Sequence, residues 1–249
     1  MRSTGPIWRM LRRAKYVGIA AVLAAAALLP SAPSGPADAA TAARTLPEQM
    51  RYLPAGQRQL ITVQVTAWGR RDARLDLWSK RADGRWVNVG TTTARLGAKG
   101  MVPGQYRKQD TYTTPSGRYT IGPAFGRVSS TGYKIPYRRI TNRSYWCLDN
   151  NSRYYNRWVE QYPMKVCRAS ESERLISYPT YRRAVVIGYN LKQVRYKGGG
   201  IFLHDNGRAY TAGCVSVSPA WMDKISLWLN PAAHPTIVLG TRDSIIRQG

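Results

Sequence analysis

Short segments in which apolar and polar residues alternate recur along most of the chain. They are rich in β-branched and aromatic residues and are separated by turn signals such as Gly69 and Asp83-Gly84. The segments are residues 61–68, 74–80, 86–89, 117–121, 184–189, 200–203, 214–217 and 236–239. Many short strands joined by turns are typical of a sandwich or an open barrel. We therefore predict a mainly β fold.

One segment, residues 219–229, has helical periodicity instead. Its apolar and aromatic side chains recur at helical spacing, Ser218 can cap it, and Pro219 suits the first turn. Asn230-Pro231 ends the pattern. An aromatic stripe of this kind is more typical of core packing than of a ligand platform. The sequence predicts a short helix that packs against the sheet.

The N-terminal part of the chain follows another pattern. Basic residues precede an apolar run from Tyr16 to Leu29, and Ala37-Asp38-Ala39 follows as a small-x-small site. This order predicts a secretory signal peptide at residues 1–39. The apolar run is shorter than the roughly 20 residues that span a bilayer as a helix, so a permanent anchor is disfavoured.

The rest of the chain divides into a linker and one domain. Residues 40–59 are rich in Ala, Pro and Arg and are expected to be a linker that is poorly ordered in its first part. Residues 60–249 suffice for one domain with its own core.

The charge of the chain is strongly positive, at +25. The predicted leader carries five basic residues and one acid, so +21 would remain after its removal. Such an excess favours anionic surroundings, which outside a cell are wall polymers and lipid headgroups. Because the arginines are scattered, a solvated basic surface and a specific binding patch stay open as alternatives. The export signal disfavours nucleic acid as a partner.

Residues 201–218, IFLHDNGRAYTAGCVSVS, contain one of two histidines and one of three cysteines. We interpret the stretch as a hairpin that turns at Asp205-Asn206-Gly207 and brings His204 and Cys214 within hydrogen-bond reach, as a nucleophile and its base require. Gly213 lets a substrate carbonyl approach the thiol closely. We expect the pair to titrate as a unit, with an imidazolium favouring the thiolate. The alternative is a buried core thiol beside a satisfied histidine.

A zinc site is the competing interpretation of cysteines near a histidine. The chain has no C-x-x-C or H-x-x-H pair, so the usual ligand spacing is missing. We expect neither a metal nor another cofactor.

The blocks FLH at 202–204 and TAGCVSV at 211–217 resemble the active-site block of the L,D-transpeptidase catalytic domain, found in cysteine enzymes of bacterial cell walls. Two further blocks are similar to the family pattern, TPSGRYTIG at 114–122 and YYNRWV at 154–159. The resemblance covers roughly residues 60–240. Many members carry Ser/Thr-His-Gly-Cys, whereas this chain has Ala212 in place of that histidine and resembles a Thr-Ala-Gly-Cys branch.

The resemblance implies an L,D-transpeptidase-like β-sandwich or open barrel, with a short helix after the catalytic strand. Cys214 would attack an amide between an L-centre and a D-residue of a peptidoglycan stem peptide, with His204 as its base. Backbone N–H groups of Gly213 and Cys214 would bind the oxyanion. Asp205, through its carbonyl or carboxylate, or Asn206 would orient the other ring nitrogen of His204.

Substrate binding is assigned to Tyr189, Asn206 and Thr211. We expect a secreted, wall-associated monomer whose partners are stem peptides and anionic wall polymers. Two other functions stay open: an L,D-carboxypeptidase, with water as the acceptor, and a non-catalytic basic module that binds the cell wall.

Three cysteines in an exported protein leave one over after pairing. With Cys214 as the reactive thiol, Cys147 and Cys167 would form a disulfide that contributes roughly 3 kcal/mol in the chain-entropy description. The polar and aromatic segment 143–166 is too long for a plain connection. It would either shape access to the active site or form a stapled surface loop.

Overall fold

A computed structural model describes residues 43–161 and 166–248 of the 249-residue chain. The predicted signal peptide lies outside these residues. Among the residues that are described, no helix has the length and apolar character needed to cross a membrane.

Strands dominate the described part of the chain, which confirms the mainly β fold. In chain order they are β1 (Gln59–Val65), β2 (Asp72–Lys80), β3 (Trp86–Arg95), β4 (Met101–Pro103), β5 (Thr114–Gly126), β6 (Tyr137–Arg139), β7 (Ser144–Cys147), β8 (Arg157–Glu160), β9 (Ser172–Arg174), β10 (Arg183–Ile187), β11 (Phe202–Asp205), β12 (Val215–Val217) and β13 (Thr236–Thr241).

Eight strands form a ring in which each strand pairs with the next, so the sheet closes into a barrel. The order is β10-β11-β12-β3-β2-β1-β13-β5, and β5 then pairs with β10. Closure depends on the length of β5, because its residues 117–120 face β13 and its residues 121–126 face β10. The short strands β4 and β6 add to β5 outside the ring.

The core of the barrel consists of inward-facing aliphatic side chains, such as Val63, Leu75 and Leu203, which are fully buried. The predicted helix is present as α2 (Pro219–Trp228) and packs against β10 and β11. Met222 and Ile225 on this helix join the same core cluster. The apolar stripe of α2 is therefore core packing, and it stabilises the two strands that lead to the candidate site.

Both ends of the described chain pack together on the barrel. Part of the predicted linker forms α1 (Leu46–Gln49), and α3 (Arg242–Gln248) follows β13. Leu46 and Met50 are buried in a cluster with Trp86 and Ile245. Residues 43–58 thus contribute to the core beside β1.

A second sheet, with the order β8-β7-β9, lies outside the barrel. The predicted disulfide between Cys147 and Cys167 joins the end of β7 to the segment before β9. The ring of Trp146 packs edge-on against Phe202 of the barrel, with centroids 4.9 Å apart. The segment that we predicted to be either a cleft wall or a stapled loop is both, since Leu148 and Asn150 also line the main cleft.

Candidate active site

The strands that carry the two candidate catalytic residues are parallel, so the predicted hairpin is wrong. Leu203 pairs with Val215, and the chain between β11 and β12 has to return to the start of the ladder before β12 begins. By this register Cys214 is level with Phe202, two residues before His204. Side chains alternate between the faces of a strand, so His204 and Cys214 project from the same face of the sheet. Thr211 bridges to Gly97 on the way back, a contact that no local turn signal reveals.

Cys214, directly before β12, is 7% exposed. Its thiol donates to the Gly200 carbonyl (3.4 Å), and its sulfur accepts from the Phe202 N–H (3.4 Å). Burial raises the pKa of Cys214 to about 12, and the negative charge of Glu173 is the next cause. At neutral pH the group is therefore a thiol whose proton is directed at the backbone.

His204 is 6% exposed, and its Nδ1 lies 2.7 Å from the backbone carbonyl oxygen of Asp205. A carbonyl only accepts, so Nδ1 carries the proton and Nε2 has the free lone pair. Burial lowers the pKa of His204 to about 4, against this hydrogen bond, which raises it. At rest the two groups are therefore a thiol and a neutral imidazole, not the thiolate with an imidazolium that we expected, and no hydrogen bond joins them among the described residues.

The orienting group for His204 is the carbonyl of Asp205. The carboxylate of Asp205 is occupied elsewhere, because Arg182 Nε donates to its Oδ2 at 2.7 Å. The backbone N–H of Asn206 donates to the Val217 carbonyl (2.7 Å), and among the described residues no hydrogen bond joins the Asn206 side chain to His204.

Thr211 shapes the loop that presents the nucleophile. Its hydroxyl donates to the Cys214 carbonyl (2.7 Å) and accepts from the Gly213 N–H (3.1 Å). Gly213 has φ +141°, and a Cβ there would lie 2.8 Å from the Thr113 carbonyl oxygen. The position thus requires glycine, and its N–H has to leave Thr211 before it can bind an oxyanion.

Cys214 and His204 open into a cleft of about 1030 Å³. Residues 207–212, between the two strands, form one wall, and residues 198–201 form another. Of the three predicted substrate-binding residues only Thr211 lines this cleft. Tyr189 and Asn206 do not line it, and Tyr189 is almost fully buried.

The fold and this cleft can be compared with known proteins. Residues 55–239 match the YkuD family, the L,D-transpeptidase catalytic domain. The chain belongs to this family. The match gives this YkuD chain a transpeptidase-type catalytic domain. The family acts on peptidoglycan, which fits a location at the cell wall outside the cytoplasm.

No curated protein sequence matches this YkuD chain. Among solved structures it is similar to the helical cell shape determining protein Pgp2 from Campylobacter jejuni, with 14% identity and a TM-score of 0.39 over 74% of this chain and 48% of that one. A point mutant of Pgp2 gives the same identity and TM-score over 47% of its length. The chain thus spans about half the length of these solved relatives.

Two residues that the sequence did not indicate lie beside the candidate nucleophile, Cys214. The Tyr181 hydroxyl donates to Glu173 Oε1, and the Tyr181 ring stands edge-on to His204 with centroids 5.2 Å apart. Burial raises the pKa of Glu173 to about 7, against the hydrogen bond from Tyr181. No sequence motif indicates them, because Glu173 in β9 and Tyr181 in the turn before β10 approach Cys214 only in the folded chain.

Replacing Glu173 with glutamine is expected to make Cys214 ionise at lower pH. The Glu173 carboxylate raises the pKa of the thiol, and glutamine removes this charge while still accepting a hydrogen bond from Tyr181. The midpoint of Cys214 alkylation by iodoacetamide should fall by on the order of one pH unit. It should stay above that of a free cysteine, because burial is the larger cause.

Glu171 provides the matched control for this experiment. It lines the same cleft but is paired with Arg168, at 2.8 Å. Glu171→Gln should leave the alkylation midpoint unchanged. An equal shift in both variants would mean that the general charge of the cleft, and not Glu173, sets the pKa of the thiol.

Proposed function

We propose that this chain is an exported L,D-transpeptidase that forms a thioester between Cys214 and a peptidoglycan stem peptide. The observation that carries the proposal is the commitment of His204 Nδ1 to the Asp205 carbonyl. Nε2 is then available as a base on the neighbouring strand, two residues along the ladder from Cys214 and on the same face of the sheet. A nucleophile, a base and a group that orients the base are the requirements for covalent acyl transfer.

Acylation starts from the neutral pair. As His204 Nε2 takes the thiol proton, Sγ attacks the carbonyl carbon of the amide that joins an L-centre to a terminal D-residue. When the tetrahedral intermediate collapses, the C–N bond breaks and the imidazolium gives its proton to the leaving amine. This return is favourable because burial lowers the pKa of His204 to about 4, so the imidazolium is a good acid.

Two resting hydrogen bonds have to change along this route. The thiol proton turns from the Gly200 carbonyl to His204, and the Gly213 N–H turns from Thr211 to the oxyanion. With the Cys214 N–H, Gly213 then supplies backbone donors where charge develops. Such donors need no side chain at position 212, which is compatible with Ala212.

In the second half of the reaction, an amine of another stem peptide resolves the thioester and forms the cross-link or anchor. The net charge of +21 that would remain without the predicted leader supports a place beside anionic wall polymers. We propose a monomer that is exported by its N-terminal leader and acts at the wall.

Intact-protein mass spectrometry after exposure to a carbapenem tests the acyl-enzyme. We expect one adduct of the full mass of the drug, located on Cys214, because the thiol opens the β-lactam as it would open a stem peptide amide. The Cys214→Ala variant should remain unmodified. A wild-type protein that stays unmodified would contradict the enzyme and favour the binding module.

Incubation with a tetrapeptide stem, with and without an acceptor amine, separates transfer from hydrolysis. A transpeptidase should form the amide product when the amine is present. Release of the tripeptide acid alone under both conditions would identify an L,D-carboxypeptidase.

A further inference from the structure

Arg107 is a buried arginine in the wall of the catalytic cleft. Its side chain is 6% exposed, and among the described residues it is the one arginine that is this deeply buried. A buried charge is costly unless an opposite charge or a full set of hydrogen bonds compensates for it. The partners of Arg107 therefore show whether the fold alone accounts for it.

The protein partners of this guanidinium are neutral. Nε donates to the Thr113 carbonyl (3.3 Å) and Nη1 to the Lys197 carbonyl (3.1 Å), while the guanidinium carbon lies 5.4 Å from the centre of the Tyr189 ring. Within residues 43–161 and 166–248, no carboxylate forms an ion pair with Arg107. The fold thus holds the group in place but leaves its charge uncompensated.

The third nitrogen of Arg107 faces the nucleophile loop. Nη2 lies 3.2 Å from the position that a Cβ would take on Gly213, the residue before Cys214. The two hydrogen bonds that Arg107 donates to backbone carbonyls use Nε and Nη1 and not Nη2, and Arg107 lines the cleft. A cationic donor is therefore held next to the nucleophile and is open to a ligand.

We propose that Arg107 binds the free carboxylate of the terminal D-residue of the donor stem peptide, so that the enzyme cleaves only at the end of a peptide. The inference rests on the proposed function. In a terminal residue, only the amide nitrogen and one α-carbon separate the carboxylate from the carbonyl carbon that Sγ attacks. A guanidinium beside the nucleophile is therefore placed for it, and carboxylate is the anion that its planar fork fits best.

The charge on the other side of the thiol favours the same orientation. Glu173 Oε2 lies 3.4 Å from the Cβ position of Gly200, whose carbonyl holds the thiol proton. Where Glu173 is ionised, it repels a substrate carboxylate, whereas Arg107 attracts it. Tyr189, which we expected to bind substrate directly, instead packs its ring against the guanidinium of Arg107.

The test compares two tetrapeptide stems that differ only at the C-terminus, one ending in D-alanine as the free acid and the other in D-alanine amide. Release of D-alanine or its amide is followed with the full-length protein. We expect kcat/KM to be on the order of 100-fold higher for the acid, the range for loss of a charge-assisted hydrogen bond. In Arg107→Gln this ratio should fall to within about threefold of unity, and Arg107→Lys should retain part of it.

Arg208→Gln is the matched control, because Arg208 lines the same cleft but is exposed. It should retain the full preference for the acid. The ratio does not depend on the folded fraction of a variant, since both peptides meet the same protein.

Each other outcome contradicts a definite statement. Equal rates for acid and amide in the wild type overturn the inference, and so does an Arg107→Gln variant that is slower on both peptides with its preference intact. A carbapenem adduct on Cys214 without release of D-alanine from the acid peptide contradicts the stem peptide as the donor, and the inference with it. Absence of both the adduct and the release contradicts the proposed function, and the inference with it.

Discussion

Replacing His204 with alanine is expected to slow turnover at neutral pH by about 100- to 10,000-fold, the contribution of a positioned acid and base. The loss is large because burial raises the pKa of Cys214 to about 12, so almost no thiolate exists at neutral pH without a base. The variant should gain about tenfold per pH unit as pH rises, since its rate follows the thiolate fraction.

The wild-type enzyme should have a different pH profile. His204 is a base only when neutral, and burial lowers its pKa to about 4, so activity should persist into mildly acidic solution and fall as pH approaches that value. Steady-state rates for both proteins across this range give the two profiles.

His234 is the control for this experiment. It is exposed, lies beyond α2 and does not line the catalytic cleft. His234→Ala should keep the wild-type rate and pH profile. If His234→Ala abolished turnover while His204→Ala left it intact, the base would have to be reassigned.

Removing the disulfide, by changing Cys147 and Cys167 to serine, is expected to lower the free energy of unfolding by about 2 to 5 kcal/mol. The bond joins the end of β7 to the segment before β9, and both sulfurs are buried against Val159. Urea unfolding followed by tryptophan fluorescence measures the change. Dithiothreitol should destabilise the wild type by a similar amount and have no effect on the double variant.

A second contact should preserve part of the local structure in that variant. Asp149 accepts from the backbone N–H of Arg168 (3.1 Å) and from its guanidinium (2.8 Å), next to the disulfide. The hydrogen bonds from Arg168 lower the pKa of Asp149 well below its usual range. We therefore expect the double variant to fold and keep Cys214 reactive towards a carbapenem, whereas an unchanged unfolding curve would show that the bond adds no stability.

The local pattern of apolar and polar residues predicted the ends of a strand where the strand is amphipathic. It failed where pairing with distant strands determines how far the strand extends. β2 was predicted to within two residues, whereas β3 continues to Arg95 through a run of Gly and Thr residues that has no apolar alternation. β5 extends on both sides of the predicted segment, although Pro115 and Pro123 disfavour strands. Its pairing with two partners overrides these local preferences, and that pairing is what closes the barrel.

The candidate site divides in the same way. His204 and Cys214 were found because they share one short stretch of sequence. Arg107, Glu173 and Tyr181 come from distant elements and resemble ordinary surface residues in a chain with 38 basic side chains. Only their positions around the thiol distinguish them, and those positions are a property of the fold.

The parallel pairing of β11 and β12 has a consequence for how such enzymes can diverge. A hairpin turn fixes the number of residues between two facing positions, but parallel neighbours are aligned by their ladder and leave the length of the returning loop free. Insertions or deletions within residues 207–212 can therefore remodel the wall of the cleft while histidine and cysteine stay in register. The number of residues between the histidine and the cysteine is therefore not a reliable criterion for recognising distant relatives. The same loop is a suitable place for engineering a new acceptor specificity.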